Sequence, residues 1–193
     1  PIKSSAASDV YKRQVRKDWM DALGLSVPTT VDELYNLVEQ MTKNNPDGRT
    51  DIIGTTAWDD GYFLAAFSKL ASDPLQSLIS CKLTRDYYDE GMKEFYRFRN
   101  KLYNNGLVHP EYYALPTDDY ISYIVNGNMA TFEDHVGSNI DSRLGYALPT
   151  LRKNYPDADL VAIPPLKNIW DNKQYSTCLL YTSPSPRDRS VSR

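Results

Sequence analysis

The chain has 193 residues, of which 41% are hydrophobic, and its 22 basic and 25 acidic side chains give a net charge of −3. This length and apolar content are sufficient for one domain with a buried core. The acidic balance argues against the basic surfaces that bind nucleic acid or anionic membranes, so we expect no nucleic-acid partner.

The two ends of the chain resemble translated DNA of a sequencing-library adapter. Residues 8–14 read Ser-Asp-Val-Tyr-Lys-Arg-Gln, the translation of one adapter strand, and residues 178–183 read Cys-Leu-Leu-Tyr-Thr-Ser, the translation of its reverse complement. Neither stretch has the apolar period of a helix or a strand. We therefore expect residues 1–14 and 178–193 to be adapter-derived and disordered, against the alternative of a natural basic arm and a natural Ser/Pro-rich tail.

Excluding both ends changes the charge and the cysteine count. The ends hold six basic and two acidic residues, so 16 basic and 23 acidic residues remain, a net charge of −7. Of the two cysteines only Cys81 is then natural. No disulfide and no cysteine-based metal site can be built from one thiol.

The first third of the chain carries the clearest helix signals. Residues 15–23 predict the end of a helix that stops at Gly24. Thr30 and Glu33 form a capping box that begins the next helix. Apolar residues at three-and-four spacing give this helix one buried stripe, namely Val31, Leu34, Leu37, Val38 and Met41. The turn cluster at residues 44–48 ends it.

Short strands and helices alternate over the rest of the chain, which predicts an α/β fold. The predicted strands are residues 52–57, 129–132 and 160–163, with residues 133–135 as the exit loop of the second. The predicted helices are residues 62–71, 84–104, 117–125 and 139–148, and Pro149 is expected to interrupt the last of these.

Three blocks in this order resemble the extracellular solute-binding proteins of carbohydrate ABC importers. The first is an Arg-Lys-Asp-Trp helix with Leu-Gly-Leu and a Pro-Thr-Thr helix start, over residues 15–34. The second is a helix with a Leu-Tyr pair, then Gly-Leu and a Pro-Glu-Tyr step, over residues 91–112. The third is the glycine-led strand of residues 126–132. The chain is most similar to the lipoprotein branch of Gram-positive gut bacteria, whose members bind oligosaccharides.

The resemblance implies a periplasmic-binding-protein-like (type II) fold of two α/β lobes that close on a sugar in the cleft. Residues 15–177 would then be an internal fragment with parts of both lobes. It also implies a non-catalytic receptor without a cofactor, whose partners are a mono- or oligosaccharide and the transmembrane permease subunits of an ABC importer. The intact protein is expected to be an extracellular, cell-surface lipoprotein, held to the membrane only by a lipid anchor missing from this fragment.

One segment departs from the pattern of the branch. Many of its members carry an acidic, glycine-rich loop, like a calcium-binding EF-hand loop, after the second helix. Here residues 45–51 read Asn-Pro-Asp-Gly-Arg-Thr-Asp. This turn is too short to surround an ion with oxygens, and Arg49 stands where an oxygen ligand would be needed. We therefore expect no metal at this turn.

Candidate ligand-binding residues lie in segments that leave strand ends, where open α/β sheets bind their ligands. Aromatic rings pack on sugar rings, and carboxylates or amides take the hydroxyls. The candidates are Trp58, Asp59, Asp60, Tyr62, Glu133, Asp134, His135 and Trp170. For Trp58 to Asp60 the alternative is a helix cap beside a core tryptophan.

Two other functions stay open. A secreted carbohydrate-active hydrolase would share the aromatic content, but it needs two carboxyl groups that face each other across the substrate. Glu133 and Asp134 are adjacent on the chain, so on a strand they point to opposite faces. The third possibility is a surface protein that binds no small ligand. The sequence has no His-x-x-x-His or Cys-x-x-Cys metal spacing.

Overall fold

A computed structural model describes residues 11–55, 61–69, 90–135 and 144–175. In these ranges there are three strands, β1 Tyr11–Arg16, β2 Thr131–His135 and β3 Leu160–Ile163. Helices connect and flank them, namely α1 Lys17–Leu23, α2 Val31–Lys43, α3 Gly61–Phe67, α4 Glu90–Asn104, α5 Thr117–Val125 and α6 Leu144–Asn154. The mixture of helices with one central sheet confirms the α/β class.

The sheet has the strand order β2-β1-β3, with β1 in the middle and both pairings antiparallel. Two isolated parallel β-bridges add further segments on the β2 side of the sheet. Ile53 pairs with Met129, and Thr55 pairs with Val108. The backbone bonds continue across these pairs, since the Ile53 amide donates to the Asn128 carbonyl at 2.7 Å and the Thr55 amide donates to the Leu107 carbonyl at 3.0 Å.

The expectation that residues 1–14 are disordered is wrong for residues 11–14. Tyr11 is paired with His135 and Gln14 is paired with Phe132, so residues 11–14 belong to the central strand β1. The physical reason is that ladder bonds are made by peptide groups, so a strand position accepts side chains of any origin. Residues 1–10 and 178–193 lie outside the described ranges, and the adapter origin of both ends stays a prediction.

Apolar side chains fill both faces of the sheet. The larger core lies against α1 to α4 and includes Val15, Trp19, Leu34, Met41, Phe67, Phe95 and Leu107. A smaller cluster, formed by Ile53, Ile124, Met129 and Phe132, lies on the side of α5. Helices on both faces of a sheet are the layered arrangement expected of an α/β domain.

The predicted signals at α1 and α2 are confirmed, with one change of boundary. Gly24 has a φ of 66°, the left-handed conformation that closes a helix. At α2 the Thr30 hydroxyl accepts from the Glu33 amide, while the Glu33 carboxylate accepts from the Thr30 amide. Val15 and Arg16 belong to β1 rather than to the first helix.

Two later boundaries differ from those predicted. Glu133 to His135 continue β2 instead of forming an exit loop. Pro149 lies inside α6, which runs on to Asn154. Proline removes one amide donor, but the helix continues because Leu151 is buried and its carbonyl accepts from the Tyr155 amide. The predicted helical residues 84–89 and 139–143 lie outside the described ranges.

No helix in the described part of the chain is long and apolar enough to cross a bilayer.

Arg13 provides a test of the central strand. Its side chain is fully buried and donates to the hydroxyls of Thr55 and Thr131. We expect Arg13→Ala to lower the free energy of unfolding by about 2–3 kcal/mol, because the hydroxyls lose a charged donor and a cavity forms. Urea denaturation measures this.

The matched control for that test is Lys17→Ala. Lys17 has an exposed ion pair with Asp21 at the start of α1, and its loss should change stability by less than about 0.5 kcal/mol. Equal effects of the two substitutions would contradict the burial of Arg13 in the sheet.

The capping box of α2 provides a second test. Thr30→Ala should lower the free energy of unfolding by about 1 kcal/mol, because the Glu33 amide loses its acceptor. The contribution of the Glu33 carboxylate to the cap should depend on pH. Hydrogen bonds from Thr29 and Thr30 hold the pKa of Glu33 below its ordinary value of 4.5.

The sign follows from the lowered pKa. The ionised Glu33 stabilises the fold above pH 4.5, and this stabilisation disappears as the pH falls through the lower folded-state pKa. Wild type should therefore lose more stability than Glu33→Gln in urea titrations when the pH falls from 7 to 3, because glutamine does not titrate. Equal losses in the two proteins would show that the carboxylate does not contribute to the cap.

Candidate functional site

Four chain segments run in the same direction through the sheet. Residues 52–55, 107–108 and 129–131 are related by the parallel pairs, and β3 is parallel to β2 because both are antiparallel to β1. They therefore end at one edge, which we call the carboxyl edge. The opposite edge, where they begin, is the amino edge. Open α/β sheets bind ligands outside the carboxyl edge.

The sequence candidates follow these four segments. Residues 58–60 come shortly after Thr55, residues 133–135 end β2, and Trp170 follows β3 by seven positions. Trp58, Asp59 and Asp60 themselves lie outside the described residues. The topology thus leads the chain from the carboxyl edge into each candidate segment.

Arg13 connects two of the candidate segments. Its Cα is paired with that of Glu133 on β2, and its guanidinium carbon lies 4.5 Å from the ring centre of Phe63. Phe63 follows Tyr62 directly in α3. The end of β2 and the beginning of α3 are therefore neighbours on the core side of β1.

The acidic residues of β2 are at positions paired with basic residues of β1. Glu133 is paired with Arg13, and Asp134 is paired with Lys12. Opposite charges at directly paired positions stabilise antiparallel strands. These carboxylates therefore have a second role open to them besides the ligand-binding role predicted.

Trp170 lies against the carboxyl-terminal end of α3. Its indole nitrogen donates to the Phe67 carbonyl at 2.6 Å, and the Lys69 amine lies 4.3 Å from the centre of its ring. The side chain is still 45% exposed. Since α3 has seven residues, about 10 Å separates this end from the end that follows residues 58–60.

The buried Asn168 holds Trp170 in this position. Its amide nitrogen donates to the carbonyls of Ala65 and Ser68 at 2.9 and 2.8 Å, which satisfies the end of α3. Its oxygen accepts from the Trp170 amide at 2.9 Å. One side chain therefore fixes both the helix end and the indole.

A tyrosine pair is the exposed aromatic feature that the sequence prediction missed. The ring centres of Tyr112 and Tyr113 lie 4.0 Å apart, and the Arg99 guanidinium donates to their hydroxyls at 3.3 and 3.4 Å, respectively. Tyr113 is 80% exposed, and burial raises the pKa of Tyr112 to about 12. The signal was the Tyr-Tyr step that follows Pro110 and Glu111.

His109 is placed as a structural residue. It is half-buried, its Nδ1 accepts from the Glu111 amide at 3.1 Å, and its Nε2 lies 3.3 Å from the Tyr123 hydroxyl. In the described part of the chain no three His, Cys, Asp or Glu side chains are grouped so that they could hold a metal ion.

Comparison with known proteins gives two significant curated relatives. The chain is 30% identical over 105 residues to the polygalacturonan/rhamnogalacturonan-binding protein YtcQ of Bacillus subtilis, which is 51% of this chain and 21% of YtcQ. It is 28% identical over 131 residues to the fructooligosaccharide ABC transporter substrate-binding protein FusA of Streptococcus pneumoniae, which is 61% of this chain and 23% of FusA. The chain therefore spans less than a quarter of the length of either relative. No family model matches it.

Solved structures show the fold. The S. pneumoniae FusA structure in complex with kestose matches with a TM-score of 0.61 at 18% identity, over 89% of this chain and 34% of that chain. The chain therefore has part of the two-lobed α/β fold of solute-binding proteins, which confirms the predicted fold class.

Asn168→Ala tests how Trp170 is held. We expect a loss of about 2 kcal/mol in the free energy of unfolding, because two carbonyls at the end of α3 lose their donor. Amide hydrogen exchange at residues 65–69 should also accelerate. Asn100→Ala, at an exposed position of α4, is the control and should change neither quantity. Equal exchange in both variants would contradict the assignment.

Proposed function

We propose that this chain is part of an extracellular receptor that captures an oligosaccharide by closure of two lobes and delivers it to an ABC importer. The observation that carries the proposal is the shared carboxyl edge, from which the chain enters every candidate segment. Its similarity to two glycan-binding relatives and its fold support the same function.

The geometry of Trp170 indicates how a sugar would be contacted. The indole nitrogen is engaged with Phe67, and Lys69 lies over the ring. The exposed part of the indole therefore offers apolar ring surface. The C–H face of a pyranose packs on such a surface. Hydroxyl groups would then be bound by the carboxylates of Asp59, Asp60 and Glu133.

The remaining parts of the proposal concern the whole protein. The similarity to FusA, a substrate-binding protein of an ABC transporter, supports transmembrane permease subunits as partners. We propose a cell-surface lipoprotein and a receptor that does no catalysis. A hydrolase and a surface protein without a ligand are the alternatives that the experiment must separate.

The test uses protein from the complete reading frame and a panel of glycans, namely oligogalacturonides, fructooligosaccharides and stachyose. A ligand that binds only the native state at 100 times its Kd should stabilise it by about 2.7 kcal/mol, seen as a raised Tm. Release of shorter sugars would favour a hydrolase. No shift with any glycan would favour a surface protein.

Trp170→Ala should weaken the affinity for the bound glycan about tenfold, since an aromatic contact is worth about 1 kcal/mol or more. Ile169→Ala is the matched control, because Ile169 is the preceding residue and is 44% exposed. Isothermal titration calorimetry compares the two. Unchanged affinity in Trp170→Ala would remove this residue from the site.

A further inference from the structure

The turn between α2 and residue 52 is organised around Arg49. Asn45, which is buried, accepts from the Arg49 amide at 2.9 Å and donates to the Arg49 carbonyl at 2.7 Å. Gly48 has a φ of 64°, which lets the chain reverse tightly. These bonds fix the backbone of Arg49 and aim its side chain away from α2.

Four oxygen atoms from three segments surround the Arg49 guanidinium. Its Nε and Nη2 donate to the two carboxylate oxygens of Asp51 at 2.9 and 2.7 Å. Its Nη1 donates to the Asn126 carbonyl at 2.8 Å and to the Tyr155 hydroxyl at 2.7 Å. The planar fork of arginine makes such simultaneous bonds possible, whereas a lysine ammonium is a single point charge.

Neighbouring contacts make this arrangement rigid. The side-chain nitrogen of Asn128 donates to the Asp51 carboxylate at 2.6 Å. The Tyr155 ring lies so close to Gly127 that a β-carbon there would approach it to 2.6 Å. The Arg49 bonds hold the pKa of Asp51 below its ordinary value.

All three segments precede strands of the sheet. Asp51 comes before residues 52–55, Asn126 before residues 129–135, and Tyr155 before β3. The Arg49 side chain therefore links the segments that lead into three strands at the amino edge, opposite the carboxyl edge. The Arg49 side chain is 23% exposed and that of Asp51 59%, so the ion pair alone would contribute little. The hydrogen bonds matter because one cation contacts Asn126 and Tyr155, which lie 77 and 106 positions after it in the chain.

We propose that Arg49 is a positioning residue. Its guanidinium sets the relative positions of three strands at the amino edge. It thereby sets the spacing of the ligand-binding segments at the carboxyl edge. The effect on ligand binding rests on the proposed function. The effect on the strands does not.

The experiment compares Arg49→Ala, Arg49→Lys and Arg97→Ala in the complete protein. Arg97 is an exposed arginine on α4 with a local ion pair to Glu94, and it is the matched control. We expect Arg49→Ala to accelerate amide exchange at least tenfold in residues 52–55 and 129–131, with little change in α4. Arg49→Lys should restore only part of the protection, and Arg97→Ala should behave as wild type.

Two further readouts make the proposal falsifiable. Millimolar methylguanidinium should partly reverse the effect of Arg49→Ala and leave Arg97→Ala unchanged. Glycan affinity should fall at least fivefold in Arg49→Ala, although Arg49 is at the amino edge. Wild-type exchange in Arg49→Ala, or full protection in Arg49→Lys, would overturn the proposal.

The outcomes separate this inference from the proposed function. If the wild-type protein binds no glycan, the proposed function fails, while the exchange and rescue measurements still decide whether Arg49 joins the strands. If exchange accelerates but glycan affinity does not change, Arg49 stabilises the edge without positioning the ligand site, and the proposal is wrong.

Discussion

The position of β1 between β2 and β3 is the constraint on which the rest of the structure depends. Both outer strands bond to it and neither bonds to the other. The parallel direction of β2 and β3, and with it the shared carboxyl edge, follows from their antiparallel pairing with this one strand. Its core-facing side chains, Arg13 and Val15, are fully buried. Its continuation into α1 places Trp19 in the larger core.

Local signals predicted the elements whose ends are decided by nearby atoms. The Thr30–Glu33 box, the buried stripe of α2 and the left-handed Gly24 all depend on residues within one or two helical turns. The failures have the opposite origin. Whether residues 11–14 form a strand depends on β2 and β3, more than a hundred positions away, and α6 passes Pro149 because the buried Leu151 favours continuation. Tertiary packing overrides a local breaker when one lost hydrogen bond is outweighed by burial.

The candidate site was predictable in outline but not in detail. Chain order alone indicated that residues after strands would reach one edge, because parallel segments end together. It could not show that Trp170 bonds to Phe67, since that contact joins residues 103 positions apart. Nor could it show that Arg99 would hold Tyr112 and Tyr113 together, because a helix and a later turn must first pack side by side.

The acidic residues of β2 are predicted to bind ligand, and they are also paired with the adapter-like segment of β1. Glu133 and Asp134 are paired with Arg13 and Lys12, both inside the segment that resembles adapter DNA. If residues 8–14 are adapter-derived, as predicted, this pairing of opposite charges is not part of the natural protein. The ligand-binding role predicted for Glu133 and Asp134 does not depend on it, because carboxylates accept hydrogen bonds from sugar hydroxyls directly.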